Sequence, residues 1–273
     1  MKEVYYWSPC LTKVGTYRST INSAISLAKY SRNLYSVKII NSCGEWSSEE
    51  KTLKKYNVEL ITLGLNYFKY LPKTGFLRSR LSYMIIFIIS FFPLIKLLSE
   101  KKPAFLIIHL LTFLPLLLNL FKKDQVKTIL RISGFPKLNF FRKTFWKISS
   151  DKIHKVTCPS IDLKNQLSSK KIFSDSDLIF LPDPIIRVKE FKKVLLNAKK
   201  LPSRKYFISV GRLTYQKNFI YLIEEFTEFL KTNLDYDLYI FGEGENKNKL
   251  NELIKKKKIT NRVFLKGYSR NIN

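Results

Sequence analysis

The last 70 residues alternate between strand-like and helix-like hydrophobic periods, and this alternation restricts the fold more than any other feature. Short runs rich in β-branched and aromatic residues occur at Tyr206–Val210, Tyr236–Phe241 and Val263–Lys266. Between them, Phe219–Leu230 and Lys249–Lys257 carry apolar residues at helical spacing. Because successive parallel strands need a crossover helix between them, this βαβαβ order predicts half of a doubly wound parallel sheet.

A similar unit opens the chain. Val4–Trp7 and Ser36–Ile40 have strand character, Asn22–Tyr30 has helical spacing, and Ser8–Thr20 has the composition of a loop. Ligands of parallel sheets bind at the carboxyl ends of the strands, so the loop Lys13-Val14-Gly15-Thr16 should lie on the binding edge.

Two domains are the natural organisation for this length, since 273 residues exceed the usual single domain of about 100 to 150. We predict the class α/β with two Rossmann-like doubly wound domains, the second incomplete. The first spans residues 1–186, a basic connection covers 187–204, and the second begins at 205 and runs to 273.

The two most apolar stretches are residues 81–98 and 104–121. Leu81–Ile95 lies between charged residues and is about 15 residues long, short of the roughly 20 that span a bilayer. We therefore expect a buried or membrane-surface helix, and a strand at Phe105–Ile108 followed by another helix. The alternative is a transmembrane hairpin.

The chain is strongly basic, with a formal net charge of +28, and 35 of its 49 basic residues precede Arg204. Such an excess predicts an anionic partner: nucleic acid, an anionic membrane face or a phosphorylated substrate. The basic residues are dispersed and match no zinc-finger or RNA-binding motif, so we expect no specific nucleic acid. Asn139–Ser150 forms a basic amphipathic pattern, either an ordinary packed helix or a membrane-docking one.

Three widely spaced cysteines and an amino terminus without a signal-like apolar stretch favour a reducing compartment. We expect a cytoplasmic protein, peripheral on the inner face of the cell membrane.

A candidate anion site follows the strand at Tyr206–Val210. Gly211 permits a tight turn, Arg212 offers a planar fork of donors, and Lys217 adds a mobile positive charge. The helix that starts near Asn218 presents free backbone amides, and together these groups suit a diphosphate.

The surrounding segments closely resemble the donor domain of the family 4, or group 1, retaining glycosyltransferases with the GT-B fold. The resemblance is carried, in the family's order and approximate spacing, by Ile208-Ser209-Val210-Gly211-Arg212-Leu213, Lys217-Asn218-Phe219, Leu222-Ile223-Glu224-Glu225-Phe226, Leu238-Tyr239-Ile240-Phe241-Gly242-Glu243-Gly244 and Val263-Phe264-Leu265-Lys266-Gly267.

The resemblance implies roles for individual residues. Positions matching Arg212 and Lys217 bind the donor diphosphate and stabilise the leaving nucleotide, so catalysis needs neither metal nor cofactor beyond the nucleotide-sugar co-substrate. The expected donor-binding residues are Gly15, Gly211, Arg212, Lys217, Asn218, Gly242, Glu243 and Gly244.

His109 resembles a histidine often found beside the reacting sugar, and it would be the third catalytic residue. A lone histidine in an apolar run is otherwise a satisfied core residue. On the acceptor side we expect Lys13, Thr16, Arg131 and Ser133, although a strand end and turn explain the last two equally well.

These features predict an enzyme, a hexosyltransferase that moves a sugar with retention from a nucleoside-diphosphate sugar to a glycan or lipid-linked acceptor. Cell-surface polysaccharide or lipopolysaccharide synthesis is the expected setting. The family's donor domain also carries a glutamate pair beyond the position of Asn273, so we expect either a fragment or completion by another polypeptide. The alternative function is a non-catalytic membrane-associated scaffold or pseudoenzyme.

Overall fold

The chain divides into two compact units, Met1–Arg187 and Val188–Asn273, each built on a parallel sheet. The computed structural model describes residues 1–13, 15–64, 66–73, 76–121, 126–185, 187–188, 191–192 and 202–268. Most of the predicted connection at 187–204 therefore lies outside the described residues.

The first unit contains a seven-stranded parallel sheet with the order β3-β2-β1-β4-β5-β6-β7. Its strands are β1 (Lys2–Trp7), β2 (Tyr35–Asn41), β3 (Val58–Thr62), β4 (Phe105–Ile108), β5 (Lys127–Arg131), β6 (Ile153–Cys158) and β7 (Leu178–Phe180). The order reverses between β1 and β4, which makes this edge the switch point where doubly wound sheets bind ligands.

Helices cover both faces of this sheet, and each face has its own hydrophobic core. The helices are α1 (Gly15–Tyr30), α2 (Glu50–Lys54), α3 (Phe76–Lys101), α4 (Phe113–Phe121), α5 (Phe140–Ser149) and α6 (Ile161–Ser169). Buried residues of α1 and α2 pack on one face, and those of α3 to α6 pack on the other. Burial on both faces explains why the strands read as continuous apolar runs.

The second unit has the predicted βαβαβ order. Strands β8 (Lys205–Val210), β9 (Tyr236–Phe241) and β10 (Val263–Gly267) form a parallel sheet with the order β10-β9-β8, joined by helices α7 (Phe219–Phe229) and α8 (Lys247–Lys256). Both helices share one core with β9 and β10, and Phe207 of β8 contacts Phe226 and Phe229 of α7. Ile208 and Val210 on the edge strand β8 are about half exposed.

The prediction of a loop from Ser8 to Thr20 was wrong in its second half, because α1 begins at Gly15. Two hydroxyls in this segment bond back to the carbonyl of Thr16, Ser19 at 3.2 Å and Thr20 at 3.0 Å, so they are satisfied within the helix. Tyr17 stacks on Trp46 with 4.5 Å between ring centroids. Tertiary packing thus overrides the weak helix propensity of Ser and Thr.

The apolar stretch at 81–98 belongs to a longer helix than predicted, since α3 runs for 26 residues with Pro93 inside it. By length and composition, Leu77–Lys101 is the one helix among the described residues that could cross a membrane, with a mean hydropathy of 2.2 in its most apolar window. Core helices of globular proteins can pass the same test. The stretch at 104–121 forms the predicted strand and helix, β4 and α4.

Candidate functional site

The carboxyl end of β8 carries the loop that the sequence singled out. Gly211 follows the strand directly, a short 3-10 turn spans Tyr215–Lys217, and Asn218 adopts a left-handed conformation with φ of 48° before α7 begins. The first turn of α7 contains no acidic residue, and the side chain of Asn218 does not cap it. The amides of this turn and the positive end of the helix dipole therefore suit an anion.

Glycines let this loop approach the turn that follows β9. A Cβ atom on Gly242, whose φ is 151°, would lie 1.8 Å from the carbonyl oxygen of Gly211, and a Cβ on Gly244 would lie 2.4 Å from that of Leu213. Backbone hydrogen bonds join the same segments, Gly211 N–H to Phe241 O at 3.0 Å and Leu213 N–H to Glu243 O at 3.0 Å. Only residues without a side chain fit here, which fixes the loop against β9.

The loop cations Arg212 and Lys217 are exposed, whereas the neighbouring carboxylate of Glu243 already has a partner. Glu243 accepts hydrogen bonds from the Lys247 ammonium at 3.0 and 3.2 Å. Within the described part of the chain, neither Arg212 nor Lys217 forms an ion pair. The stem of Lys217 passes 3.6 Å from where a Gly211 Cβ would stand, so the lysine lies over the strand end. Two unpaired cations beside free amides can bind a diphosphate.

In the first unit, His109 lies at the carboxyl end of β4 in a buried hydrogen-bonded chain. Its Nδ1 is 3.2 Å from the hydroxyl of Thr20, and its Nε2 forms a short hydrogen bond with the hydroxyl of Ser133, after β5. The Thr20 hydroxyl in turn lies 3.1 Å from that of Ser8, which follows β1. Three strand ends and α1 thus hold the imidazole in one orientation.

Burial keeps this imidazole neutral. Desolvation and the positive charge of Arg131 lower the pKa of His109 from 6.5 to about 4, and Asp183 opposes them only in part. At neutral pH the ring therefore offers one donor and one acceptor, both engaged by hydroxyls.

Arg131 and Asp183 form a buried ion pair on the same edge. The guanidinium donates from Nε at 3.0 Å and from Nη2 at 2.5 Å to one carboxylate oxygen, and the two side chains are 5% and 16% exposed. The sequence analysis missed Asp183 as a partner. Its position between Pro182 and Pro184, three residues after the end of β7, was the available signal.

Three further predicted residues lie at the start of α1. Gly15 begins the helix with open space around its Cα, and Thr16 follows it. The Lys13 ammonium bonds to the Ser48 hydroxyl at 3.0 Å and to the Glu49 carboxylate at 2.9 Å. Lys13 thus meets the loop after β2, while the open side of Gly15 leaves room for a ligand.

Among the residues that the structure describes, no three histidine, cysteine, aspartate or glutamate side chains cluster closely enough to hold a metal ion. The positive charge available at the loop after β8 is that of Arg212, Lys217 and the amino-terminal end of α7. The expectation that no metal or cofactor is needed stays a prediction.

Sequence comparisons support the resemblance noted above. The family model for glycosyl transferases group 1 matches residues 189–273. The poly(glycerol-phosphate) α-glucosyltransferase of Bacillus subtilis is 34% identical over 109 residues, which are 40% of this chain and 16% of that protein. The chain therefore matches about a sixth of this relative's length.

Solved structures show the fold. TarM of S. aureus, in complex with fondaparinux, α-GlcNAc-glycerol and UDP, superimposes with a TM-score of 0.65 at 12% identity, over 98% of this chain and 78% of that one. UDP-GlcNAc 2-epimerase from Neisseria meningitidis, bound to UDP-GlcNAc, gives 0.62 at 14% identity, over 98% and 72%. Since transferases and epimerases share this fold, it does not by itself select a reaction.

The fold and the sequence match agree where they overlap. The matched residues include β8, the loop with Arg212 and Lys217, and the glycine turn after β9. Residues 189–273 thus match the family model for glycosyl transferases group 1, and the chain has the GT-B fold of these solved structures.

Proposed function

We propose that this chain takes part in transferring a hexose, with retention, from a nucleoside-diphosphate sugar to a glycan or lipid-linked acceptor in cell-surface polysaccharide synthesis. The observation that carries the proposal is the loop after β8, where Arg212 and Lys217 are exposed beside the uncapped start of α7 and form no ion pair with any residue that the structure describes. The group 1 family match over this segment selects transfer rather than epimerisation.

The two cations are the proposed catalytic groups of the second unit. As the bond between sugar and phosphate opens, negative charge grows on the departing diphosphate, and fixed positive charge stabilises it more in the transition state than in the ground state. Gly211, Asn218, Gly242, Glu243 and Gly244 shape the donor site around them. Glu243 acts here through its backbone, because its carboxylate is paired with Lys247.

In the first unit, neutral His109 is the third proposed catalytic group. Because Thr20 and Ser133 engage both ring nitrogens, the imidazole must exchange one of these hydrogen bonds for one to the reacting sugar. Arg131 and Ser133 are positioning residues in this scheme, since Asp183 engages the arginine and His109 engages the serine. The open space at Gly15 leaves room for the donor, and the neighbouring Lys13 and Thr16 are the proposed acceptor-side residues.

A uridine diphosphate donor and a polyol-phosphate or glycan acceptor are the first candidates. TarM was crystallised with UDP and α-GlcNAc-glycerol, and the Bacillus relative is named for poly(glycerol-phosphate). Its α-glucosyl product is also what retention gives from an α-linked nucleotide sugar. We place the reaction on the cytoplasmic side, at the inner face of the cell membrane, where lipid-linked acceptors are presented.

Calorimetric titration with UDP, GDP and their sugar conjugates tests the site. Each charged hydrogen bond contributes about 1.5–3 kcal/mol, so Arg212→Ala and Lys217→Ala should each weaken donor binding roughly 10- to 100-fold. Lys231→Ala is the matched control, because it removes an exposed lysine just beyond the other end of α7. Its Kd should stay within a factor of two of the unmodified chain's.

Product analysis then tests the chemistry. The anomeric configuration of the transferred sugar, read by NMR, should equal that of the donor. Inversion would refute the assigned mechanism, and absence of nucleotide binding by a folded chain would favour the non-catalytic scaffold instead.

A further inference from the structure

Helix α3 has one buried side and, opposite it, an exposed apolar side. One side faces the core of the first unit, with every fourth residue almost fully buried, and comprises Ser82, Ile86, Ser90, Leu94 and Leu98. An ordinary surface helix would carry polar residues on the other side. The outer side of α3 is apolar instead, with Leu77, Leu81, Met84, Ile88 and Phe92.

These outer side chains are well exposed. Met84 is 54%, Ile88 62% and Phe92 76% accessible. They recur at intervals of three and four residues, so they form one continuous stripe along about four turns of the helix. A contiguous exposed apolar surface of this kind marks an interaction site, whereas isolated exposed apolar residues do not.

The same helical layer continues to α5 through an aromatic contact chain. Phe113 of α4 lies 5.8 Å from Phe87 of α3 and 4.5 Å from Phe145 of α5, measured between ring centroids. Beyond it, α5 exposes Phe140 at 78% and Phe141 at 80%. Ile148 on the same helix is exposed as well. We call the α3 stripe together with Phe140, Phe141 and Ile148 the α3–α5 face.

Basic residues predominate in the helices that form this face. Helices α3, α4 and α5 together contain seven basic residues and one acidic residue, Glu100. Lys143 and Lys147 are exposed on α5 beside the apolar side chains. A surface that combines apolar insertion with positive charge is complementary to anionic lipid headgroups over an acyl layer.

We propose that the α3–α5 face docks the chain on an anionic lipid bilayer, with α3 lying in the plane of the interface. The biological role of this docking rests on the proposed function, because docking would bring the enzyme to an amphiphilic acceptor. The docking itself needs no donor and is tested without one.

Two other partners for the α3–α5 face fit the observations less well than a bilayer. A second copy would bring two strongly basic faces together, and like charges across an interface are repulsive. A membrane-crossing α3 would need lipid on all sides. Its inner side is instead buried in the first unit, with Leu94 and Leu98 in the core on the sheet and Ile86 in a smaller hydrophobic cluster. The packed inner side and the basic rim both favour docking in the plane.

Vesicle sedimentation with the full chain tests the proposal. The probes are vesicles of phosphatidylcholine alone and of phosphatidylcholine with 30% phosphatidylglycerol. The unmodified chain should bind the anionic vesicles, and the triple variant Met84→Ser/Ile88→Ser/Phe92→Ser should bind them at least about 10-fold more weakly. The matched control Tyr30→Ser/Leu34→Ser/Tyr70→Ser removes three equally exposed apolar side chains elsewhere in this unit, and its partition should be unchanged.

A charge variant separates the two components of binding. Lys143→Gln/Lys147→Gln should reduce partition onto anionic vesicles about 30-fold, since each basic residue near such a surface contributes roughly fivefold. Partition onto phosphatidylcholine alone should not change. Tryptophan fluorescence checks that each variant is folded.

UDP affinity is measured in parallel and should stay constant, so a failure of docking is distinguishable from a failure of the donor site. The proposal is overturned if the folded chain ignores anionic vesicles, or if the stripe variant binds them as the unmodified chain does. It is equally overturned if sedimentation equilibrium shows a dimer that only the stripe variant loses. Resistance of bound chain to alkaline carbonate extraction would replace in-plane docking with a membrane-crossing helix.

Discussion

Replacing His109 by glutamine should remove a defined part of the pH dependence of folding. The imidazole has a pKa of about 4 when buried, against 6.5 when free. Below pH 6.5 His109 therefore binds a proton in the unfolded chain but not in the folded chain, so falling pH favours unfolding. Glutamine keeps a polar group near Ser133 and does not titrate.

The magnitude follows from the two pKa values. At pH 7.5 His109 is neutral in both states and contributes nothing to the pH dependence. At pH 5 its uptake of a proton in the unfolded state costs the fold about 2 kcal/mol, and the penalty levels off near 3 kcal/mol below pH 4. Carboxylates add their own terms, which the comparison with His109→Gln cancels.

Tryptophan fluorescence is a selective assay because all three tryptophans, Trp7, Trp46 and Trp146, are buried in the first unit. Urea titrations are made at pH 7.5 and at pH 5. Between these two values the unfolding midpoint of the unmodified chain should fall by about 1 M more than the midpoint of His109→Gln, for an m value of about 2 kcal/mol/M. His154, the only other histidine, is present in both proteins and cancels. Equal shifts in the two proteins would refute the assignment of a buried neutral imidazole.

Two further substitutions test the packing of each unit. Gly242→Ala places a Cβ atom 1.8 Å from the Gly211 carbonyl oxygen, so the loop must shift and UDP binding in calorimetry should be abolished. Tryptophan fluorescence should stay native, and retained UDP binding would contradict the close approach. Asp183→Asn leaves the Arg131 guanidinium buried without a carboxylate and should lower the free energy of unfolding by about 2–4 kcal/mol in urea titrations. The double variant Arg131→Met/Asp183→Leu should recover most of the lost free energy of unfolding. If Asp183→Asn is as stable as the unmodified chain, the buried ion pair is contradicted.

Much of the fold could be predicted from the sequence because hydrophobic periodicity is a local property. The five elements of the second unit occur where their apolar patterns predict them, within two residues at each end. The loop of Arg212 and Lys217 could be singled out as a candidate anion site from residue types alone, since such a site beside a helix start needs only neighbouring groups; its role stays a prediction. The start of α1 was missed because Tyr17 is stabilised by stacking on Trp46, which is distant in sequence.

The sequence by itself determined the order of strands and helices, the cationic loop and the excess of positive charge. Only the tertiary structure decided which distant residues meet. Sheet order brings the ends of β4 and β5 together and puts His109 beside Ser133, while the carboxylate that neutralises Arg131 comes from a position 52 residues away. The tertiary structure also decided that the outer side of α3 remains exposed, because burial depends on what packs against a helix and not on the helix's own composition.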